Sequence, residues 1–406
     1  MNDENYFLAS GGFVKKSGMM LSHSIAAALL VAASGTTQAV SFQVPGTNTN
    51  IDVGGYAKLD IIWNSISAGN SSQANIEYVP SSIPLDPQDS GEEGQVVFNG
   101  RESRIWIKTS TPTDEEELKT HLEFDFDTNE GNQLVSNSHG ARIRHAYATY
   151  NNMLFGRTWS LFMALPSLPD TNDFGGPTGD IFVRQAQLQF TWPMAGNHSW
   201  QLGIENPETF NRQGIAGCSS GGLSCDDDQL PDVIVRYNAP HWSVAGLFRS
   251  FNVEEAAVDD SDSGVGLQFA GNLPFGNGNR FQWQLNAGSG IGRYMSLATH
   301  PDVVVNGSRI EALDVVGGFA GVQLKTGGSG NARVNIVYGF TSADDPAPLA
   351  GSGTITEKTN SLHLNYMWNS SKKVRHGIEL IHANREVYSG ADGDLTRVQW
   401  SSRFLF

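Results

Sequence analysis

The chain has 406 residues, of which 39% are hydrophobic and 17% charged, with 45 glycines and a formal net charge of −16. Beyond residue 39 no run approaches the ~20 consecutive apolar residues of a spanning helix, which excludes a helical membrane protein. The acidity argues against nucleic acid as a partner, and the length accommodates one large all-β domain.

At the N-terminus, Lys15 and Lys16 precede an apolar run from Met19 to Ala33, and Thr37-Gln38-Ala39 is a small-x-small cleavage site. This is the pattern of a signal peptide over 1–39, cleaved on export to the periplasm, with the folded domain over 40–406. The leader carries Asp3, Glu4, Lys15 and Lys16, so its loss leaves the net charge at −16.

From residue 52 onward apolar and polar residues alternate. Leu122, Phe124 and Phe126 interleave with His121, Glu123, Asp125 and Asp127, and Phe281, Trp283 and Leu285 with Gln282, Gln284 and Asn286. A strand tilted through hydrocarbon needs about 9 to 11 such residues, apolar toward lipid and polar toward a wet lumen. A dry core is excluded, because each unpaired polar group buried there costs about 2–7 kcal/mol. The runs predict strands near 52–63, 95–108, 117–127, 141–150, 152–159, 181–192, 198–206, 231–239, 241–251, 262–271, 279–291, 312–324, 331–341, 358–369, 372–386 and 394–406. That is a transmembrane antiparallel up-and-down β-barrel of about 16 strands.

Short turns (Thr111-Pro112-Thr113, Asn151-Asn152, Asn238-Ala239-Pro240, 327–330, Ser370-Ser371) separate long loops near 64–94, 128–140, 160–180, 207–230, 292–311 and 342–357. Periplasmic turns and outer loops have this asymmetry. Trp63, Trp192, Trp242, Tyr338 and Trp368 fall at strand ends, as interfacial girdles require. In the last strand Val398, Trp400, Phe404 and Phe406 share one face. The terminal Phe406 resembles the assembly signal of Gram-negative outer-membrane barrels, so the expected surroundings are outer-membrane lipid and lipopolysaccharide.

Alternation places Lys58, Arg104, Lys119, Arg142, Arg144 and Arg157 inward, with Glu123 and Asp125 as inward acids, and Arg184 of the sixth strand is assigned to the lumen as well. Inward cations outnumber inward acids although the chain is acidic. The missing negative charge lies in loop clusters: Glu92-Glu93, Asp226 to Asp228, Glu254-Glu255, Asp259, Asp260, Asp262 and Asp344-Asp345. Each is a solvated face, or together they bridge divalent cations between sugar headgroups. A low-dielectric wall focuses the field of lumen cations and concentrates anions. The third long loop, with Leu161-Phe162-Met163-Ala164-Leu165, is too apolar to lie in water. It is expected to fold into the lumen as a constriction in which Arg104, Arg142, Arg144 and Arg157 face Asp170 and Asp173 across an anion-binding zone.

Cys218 and Cys225 suit a local disulfide in an exported protein; two thiols without nearby histidines do not complete a zinc site, and no metal or cofactor is expected. Past the leader, Ser138-His139 and His198-Ser199 are the adjacent Ser/His pairs, neither in a hydrolase motif, so an enzyme is not expected. Strands 1 to 5 are assigned small or polar residues on the lipid-facing side, among them Thr120, His145, Thr149, Gly156 and Thr158, which suit a contact between copies.

Gly55-Tyr56-Ala57-Lys58-Leu59-Asp60, Arg101-Glu102-Ser103-Arg104, Arg142-Ile143-Arg144-His145, Gly156-Arg157-Thr158-Trp159, Asp173-Phe174-Gly175-Gly176-Pro177 and Arg184-Gln185-Ala186-Gln187 resemble the DcaP-like trimeric outer-membrane porins. The resemblance covers about residues 52–206. It implies a homotrimer, an arginine-rich eyelet and passage of small anions such as dicarboxylates. Only Val40 to Asn50 precede the first strand, where family members often carry a coiled-coil segment. Two other functions compete: a general-diffusion or carbohydrate-selective porin using Gln185, Gln187, Gln189, Gln282 and Gln284, and a non-conducting receptor or adhesin acting through its outer loops.

Overall fold

The computed structural model describes residues 40–67, 73–86, 93–114, 116–128, 131–132, 134–326, 331–344 and 352–406. The leader 1–39, the expected turn 327–330 and the loop acids Glu92 and Asp345 lie outside them.

The chain forms a closed antiparallel barrel of 16 strands. They are β1 (Asn50–Ile66), β2 in two segments (Glu93–Asn99 and Arg104–Pro112), β3 (Glu117–Asp125), β4 (Arg142–Tyr150), β5 (Met153–Trp159), β6 (Arg184–Met194), β7 (His198–Glu205) and β8 (Asp232–Asn238). The second half is β9 (Trp242–Glu255), β10 (Val258–Phe275), β11 (Asn279–Ser289), β12 (Asp314–Thr326), β13 (Ala332–Ala343), β14 (Thr356–Asn369), β15 (Val374–Val387) and β16 (Asp392–Leu405). Each predicted strand is found, with ends moved by a few residues. Closure is the pairing of β1 with β16, from Tyr56 opposite Leu405 to Asn64 opposite Arg397. A further strand, Val40–Gln43, pairs with the first residues of β1 and continues that edge beyond the C-terminus. Phe406 completes the seam: its N–H donates to the Gly55 carbonyl at 3.1 Å. Its ring occupies the space a Cβ on Gly55 would need, 2.5 Å away.

The two faces of the strands differ as alternation requires. Leu267 is 67% exposed while the next residue, Gln268, is 2% exposed. Trp63, Phe98, Trp192, Trp242 and Tyr338 are exposed on the outer face, whereas Asp60, Gln284, Glu379 and Arg397 are buried on the inner one. The β4–β5 turn, Asn151-Asn152, has φ of 47° and 62°. Two left-handed residues in a two-residue hairpin match the strand twist, and asparagine tolerates that conformation.

Two irregularities reposition charge. β2 breaks at Gly100–Ser103, turning Arg101 and Glu102 inward, both buried. Between β3 and β4 the register shifts at Glu123/Phe124, so that Asp125 pairs with Arg142 and Glu123 with His145. A bulge of one residue inverts the faces that follow it. Beyond it Ala146 lies opposite Leu122 and Arg157, and Ala186, opposite Arg157 on the next strand, is exposed. Arg157 is therefore on the outer face, its Nε 3.4 Å from the carbonyl of Ile143, and the expectation that it lines the lumen is corrected. The same inversion turns His145, Thr149, Gly156 and Thr158 inward, leaving Thr120 of that set outside, bonded to Thr109 at 2.7 Å.

A detergent-purified sample is expected to give a β-dominated far-ultraviolet dichroism spectrum and a heat-modifiable gel band. Phe406→Ser is expected to slow appearance of the folded band severalfold. A mainly helical spectrum overturns the barrel.

Candidate functional site: a charged cavity beside the third loop

Loop 3 connects β5 to β6 over residues 160–183. Its apolar start behaves as its composition requires: Leu161, Phe162 and Met163 are buried against Ile234, Ala245 and Leu247 on the inner faces of β8 and β9. The Leu161 N–H donates to Glu205 at 2.6 Å and its carbonyl accepts from Arg236 at 2.8 Å. Ten residues on, the loop meets the opposite arc. The Asn172 N–H donates to Glu379 of β15, its carbonyl accepts from Lys58 of β1 at 3.3 Å, and Asp173 pairs with Arg397 of β16 at 2.7 Å.

Between this part of the loop and β15, β16, β1 and β2 lies a cavity of about 220 Å³ lined by Tyr56, Lys58, Arg104, Asp170, Phe174, Arg375 and Arg403 among others. Guanidinium groups stack on two rings. On Phe174 they are Arg144 at 4.7 Å, Arg104 at 5.3 Å and Arg184 at 5.9 Å from the ring centre. On Tyr56 they are Arg403 at 4.9 Å and Arg104 at 5.5 Å. Like charges gathered this way need compensation, by ring faces or by acids.

The acids are unevenly distributed. Arg142 holds Asp125 through two bonds of 2.9 Å and Asp127 at 2.8 Å. Arg144, its side chain 1% exposed, bonds Glu123 at 2.8 Å and Asp125 at 2.7 Å. Arg104 reaches Glu123 at 3.4 Å, and Lys58 contacts Glu102 and Asp60. Asp170 and Asp173 line the same cavity as Arg104 but pair with other cations, Asp170 with Arg333 and Arg375 and Asp173 with Arg397. Among the described residues Arg184 and Arg403 form no ion pair with a carboxylate. Asp180 lies beside the cavity with both carboxyl oxygens buried and unpartnered, and burial pushes its carboxyl well above the ordinary range.

Of the residues the sequence singled out, Arg104, Arg144 and Arg184 come together, Arg142 adjoins them, and Arg157 is on the other side of the wall. Lys119 is remote, exposed and paired with Glu117 at 2.8 Å. Cys218 and Cys225 form a disulfide in an outer loop, where Cys225 packs with Ile215, Phe251 and Val303. Sequence reasoning passed over Tyr56, Arg403 and Phe174 as a stacking set, and the ring run Trp159–His145–His121–Tyr147, in which the imidazoles stack at 5.2 Å. Alternation was the available signal for Tyr56, His121 and Arg403; the bulge at Glu123/Phe124 hid it for His145 and Tyr147.

The profile of the DcaP outer membrane protein family matches residues 21–239, more than half of the chain. The chain belongs to that family. The outer membrane channel DcaP of Acinetobacter baumannii is similar over 90% of this chain and 99% of its own, with a TM-score of 0.77 and 20% identity. An anion-selective porin from Comamonas acidovorans aligns over 88% of this chain and all of its own, at a TM-score of 0.54 and 13% identity. OmpT of Vibrio cholerae, in its trimer form, does so over 88% and 99%, at 0.53 and 10%. At these identities the likeness is one of fold. No curated protein sequence matches the chain. Membership of the DcaP family places the protein in the outer membrane.

Removing one partner of a buried ion pair leaves the other charge desolvated and costs about 3–5 kcal/mol. Arg144→Ala is expected to lower the temperature at which the folded gel band is lost, while Arg403→Ala, which strands no carboxylate, is expected to leave it near wild type. Equal effects overturn this division of the arginines.

Proposed function

We propose that the protein is a porin passing small hydrophilic solutes, with a preference for small anions such as dicarboxylates, and that loop 3 is its constriction. The observation carrying this reading is that Arg403, which lines the cavity, and Arg184, stacked on its Phe174, form no ion pair with a described carboxylate, while Glu102, Asp170 and Asp173 are each engaged by a cation. A solute carboxylate exchanges water for charge-assisted bonds there, each worth about 1.5–3 kcal/mol net. Few such bonds give weak binding, which conduction requires. Arg142 and Arg144 serve as wall supports in this reading, because Glu123, Asp125 and Asp127 already saturate them. The glutamines suggested for a sugar path are engaged by the protein: Gln187 donates to the Thr158 carbonyl at 3.0 Å, Gln185 to the Tyr294 hydroxyl at 2.8 Å, Gln284 to Asn286 at 3.1 Å, Gln189 to Gln187 and Gln282 to the Leu168 carbonyl, which counts against the carbohydrate reading.

In planar bilayers under a salt gradient the reversal potential is expected to indicate anion preference. The double variant Arg184→Gln/Arg403→Gln is expected to move it toward zero and to weaken block by dicarboxylates severalfold. A wild-type potential of cation-selective sign overturns the reading.

The signal peptide over 1–39 and a homotrimer belong to the same proposal. The outer face of β2 to β6 supports the trimer: Arg157 lies in a lateral row with Ala146 and Ala186, and near it Thr109 bonds Thr120. An arginine facing lipid at the midplane costs about 2–4 kcal/mol, a penalty that contact with a second copy avoids. Light scattering in mild detergent is expected to give three times the chain mass, and Arg157→Ala to shift the population toward smaller species. A monomer under these conditions counts against the trimer.

A further inference from the structure

Loop 3 is not the only segment directed inward. The loop between β11 and β12 sends Ile291, Tyr294, Met295, Thr299 and His300 into complete burial. It also contains three consecutive left-handed residues that are not glycine: Ser296, Leu297 and Ala298, with φ of 45°, 59° and 58°. Residues with a Cβ visit this region singly; a run of three is strained and persists only where surroundings over-determine it.

The surroundings are the descending arm of loop 3. The Phe182 N–H donates to the Tyr294 carbonyl at 2.9 Å, and the Ser296 N–H to the Asp180 carbonyl at 2.9 Å, with a β-bridge between Ile181 and Met295. The Ser296 Oγ accepts from the Gly179 N–H at 2.6 Å. A Cβ on Gly175 would lie 3.3 Å from Leu297 Cδ1, so the left-handed turn abuts the start of this arm as well. The turn itself is pinned from behind, the Ala298 carbonyl accepting from Arg212 at 2.7 Å. Its far end is anchored to the wall by Asp302, 2.6 Å from Arg249.

We propose that this sixth outer loop sets the position of loop 3, and hence the width of the pore, through the strained turn 296–298, with Ser296 as the positioning residue. This rests on the reading of loop 3 as the constriction. The clamp meets residues 175–182, directly next to the cavity-lining Phe174 and Phe182, so loss of the Ser296 hydroxyl frees an arm whose movement changes the aperture. Strain in the turn opposes the clamp. Glycine, which adopts left-handed angles without penalty, removes that opposition.

Single-channel recording of the full protein tests this. Ser296→Ala is expected to raise the occupancy of subconductance states severalfold, and Ala298→Gly to lower it below wild type, with the heat-modifiable gel transition of both variants unchanged. Opposite shifts at constant barrel stability are not what a merely structural residue produces. Wild-type conductance with unaltered substates in both variants overturns the clamp and leaves the porin reading standing. Absence of wild-type conductance overturns both.

Discussion

Hydrocarbon offers no water to an unpaired amide, so a sheet that crosses it has to close. Here closure depends on the pairing of β1 with β16, and several otherwise unrelated features serve it. Gly55 lacks a side chain where the Phe406 ring lies. The strand Val40–Gln43 covers the part of β1 that β16 does not reach. Once the ring is closed, alternation sorts every side chain into lipid or lumen, and the polar set must find partners inside.

For most of the charged members those partners are charges of opposite sign, and the pairing decides what chemistry remains. A buried ion pair is weak evidence of stability, but leaving one member alone is expensive, so the bidentate grip of Arg142 on Asp125 fixes β3 to β4 and removes both from interaction with solutes. Loop 3 uses the same chemistry: Asp170 and Asp173 moor it to β13, β15 and β16. Charges used for mooring do not select ions. What is left uncompensated is small, and it lies where rings rather than acids stabilise the guanidinium groups.

The barrel was legible because period-2 patterning is a constraint on every strand, and the C-terminal strand carries it to the last residue. Inward assignments such as Lys58, Arg104, Arg144 and Arg397 follow from it directly. Arg157 failed because phase is counted from a neighbour, and the register shift at Glu123/Phe124 adds a residue that leaves no mark in the sequence. The pairing of Asp173 with Arg397, 224 positions apart, was illegible for another reason: alternation gives a side chain's face but not its height, and long-range ion pairs depend on height.

One sequence signal for the inward loops was present. A strand facing lipid on one side and water on the other alternates, but Val233-Ile234-Val235 in β8, Val244 to Phe248 in β9 and Val315-Val316 in β12 do not. Ile234, Leu247 and Val315 are the inward members, and each is buried in the cluster that contains Phe162, Tyr294 and Met295 of the two loops. Loss of alternation thus marks the arc of wall that loops cover. β1 and β15, which with β16 border the cavity, lose alternation over shorter stretches: Ile62 and Ile381 are buried inward members, and Tyr78 and Ile83 of the first loop cover Ile381, Ala383 and Leu395. An apolar inner patch on one side of a barrel therefore does more than bury a loop. It displaces the remaining free space toward the polar arc, where Arg104, Arg375 and Arg403 line the cavity, and in the proposed porin these are the arginines placed to meet a solute, whatever the total charge of the wall.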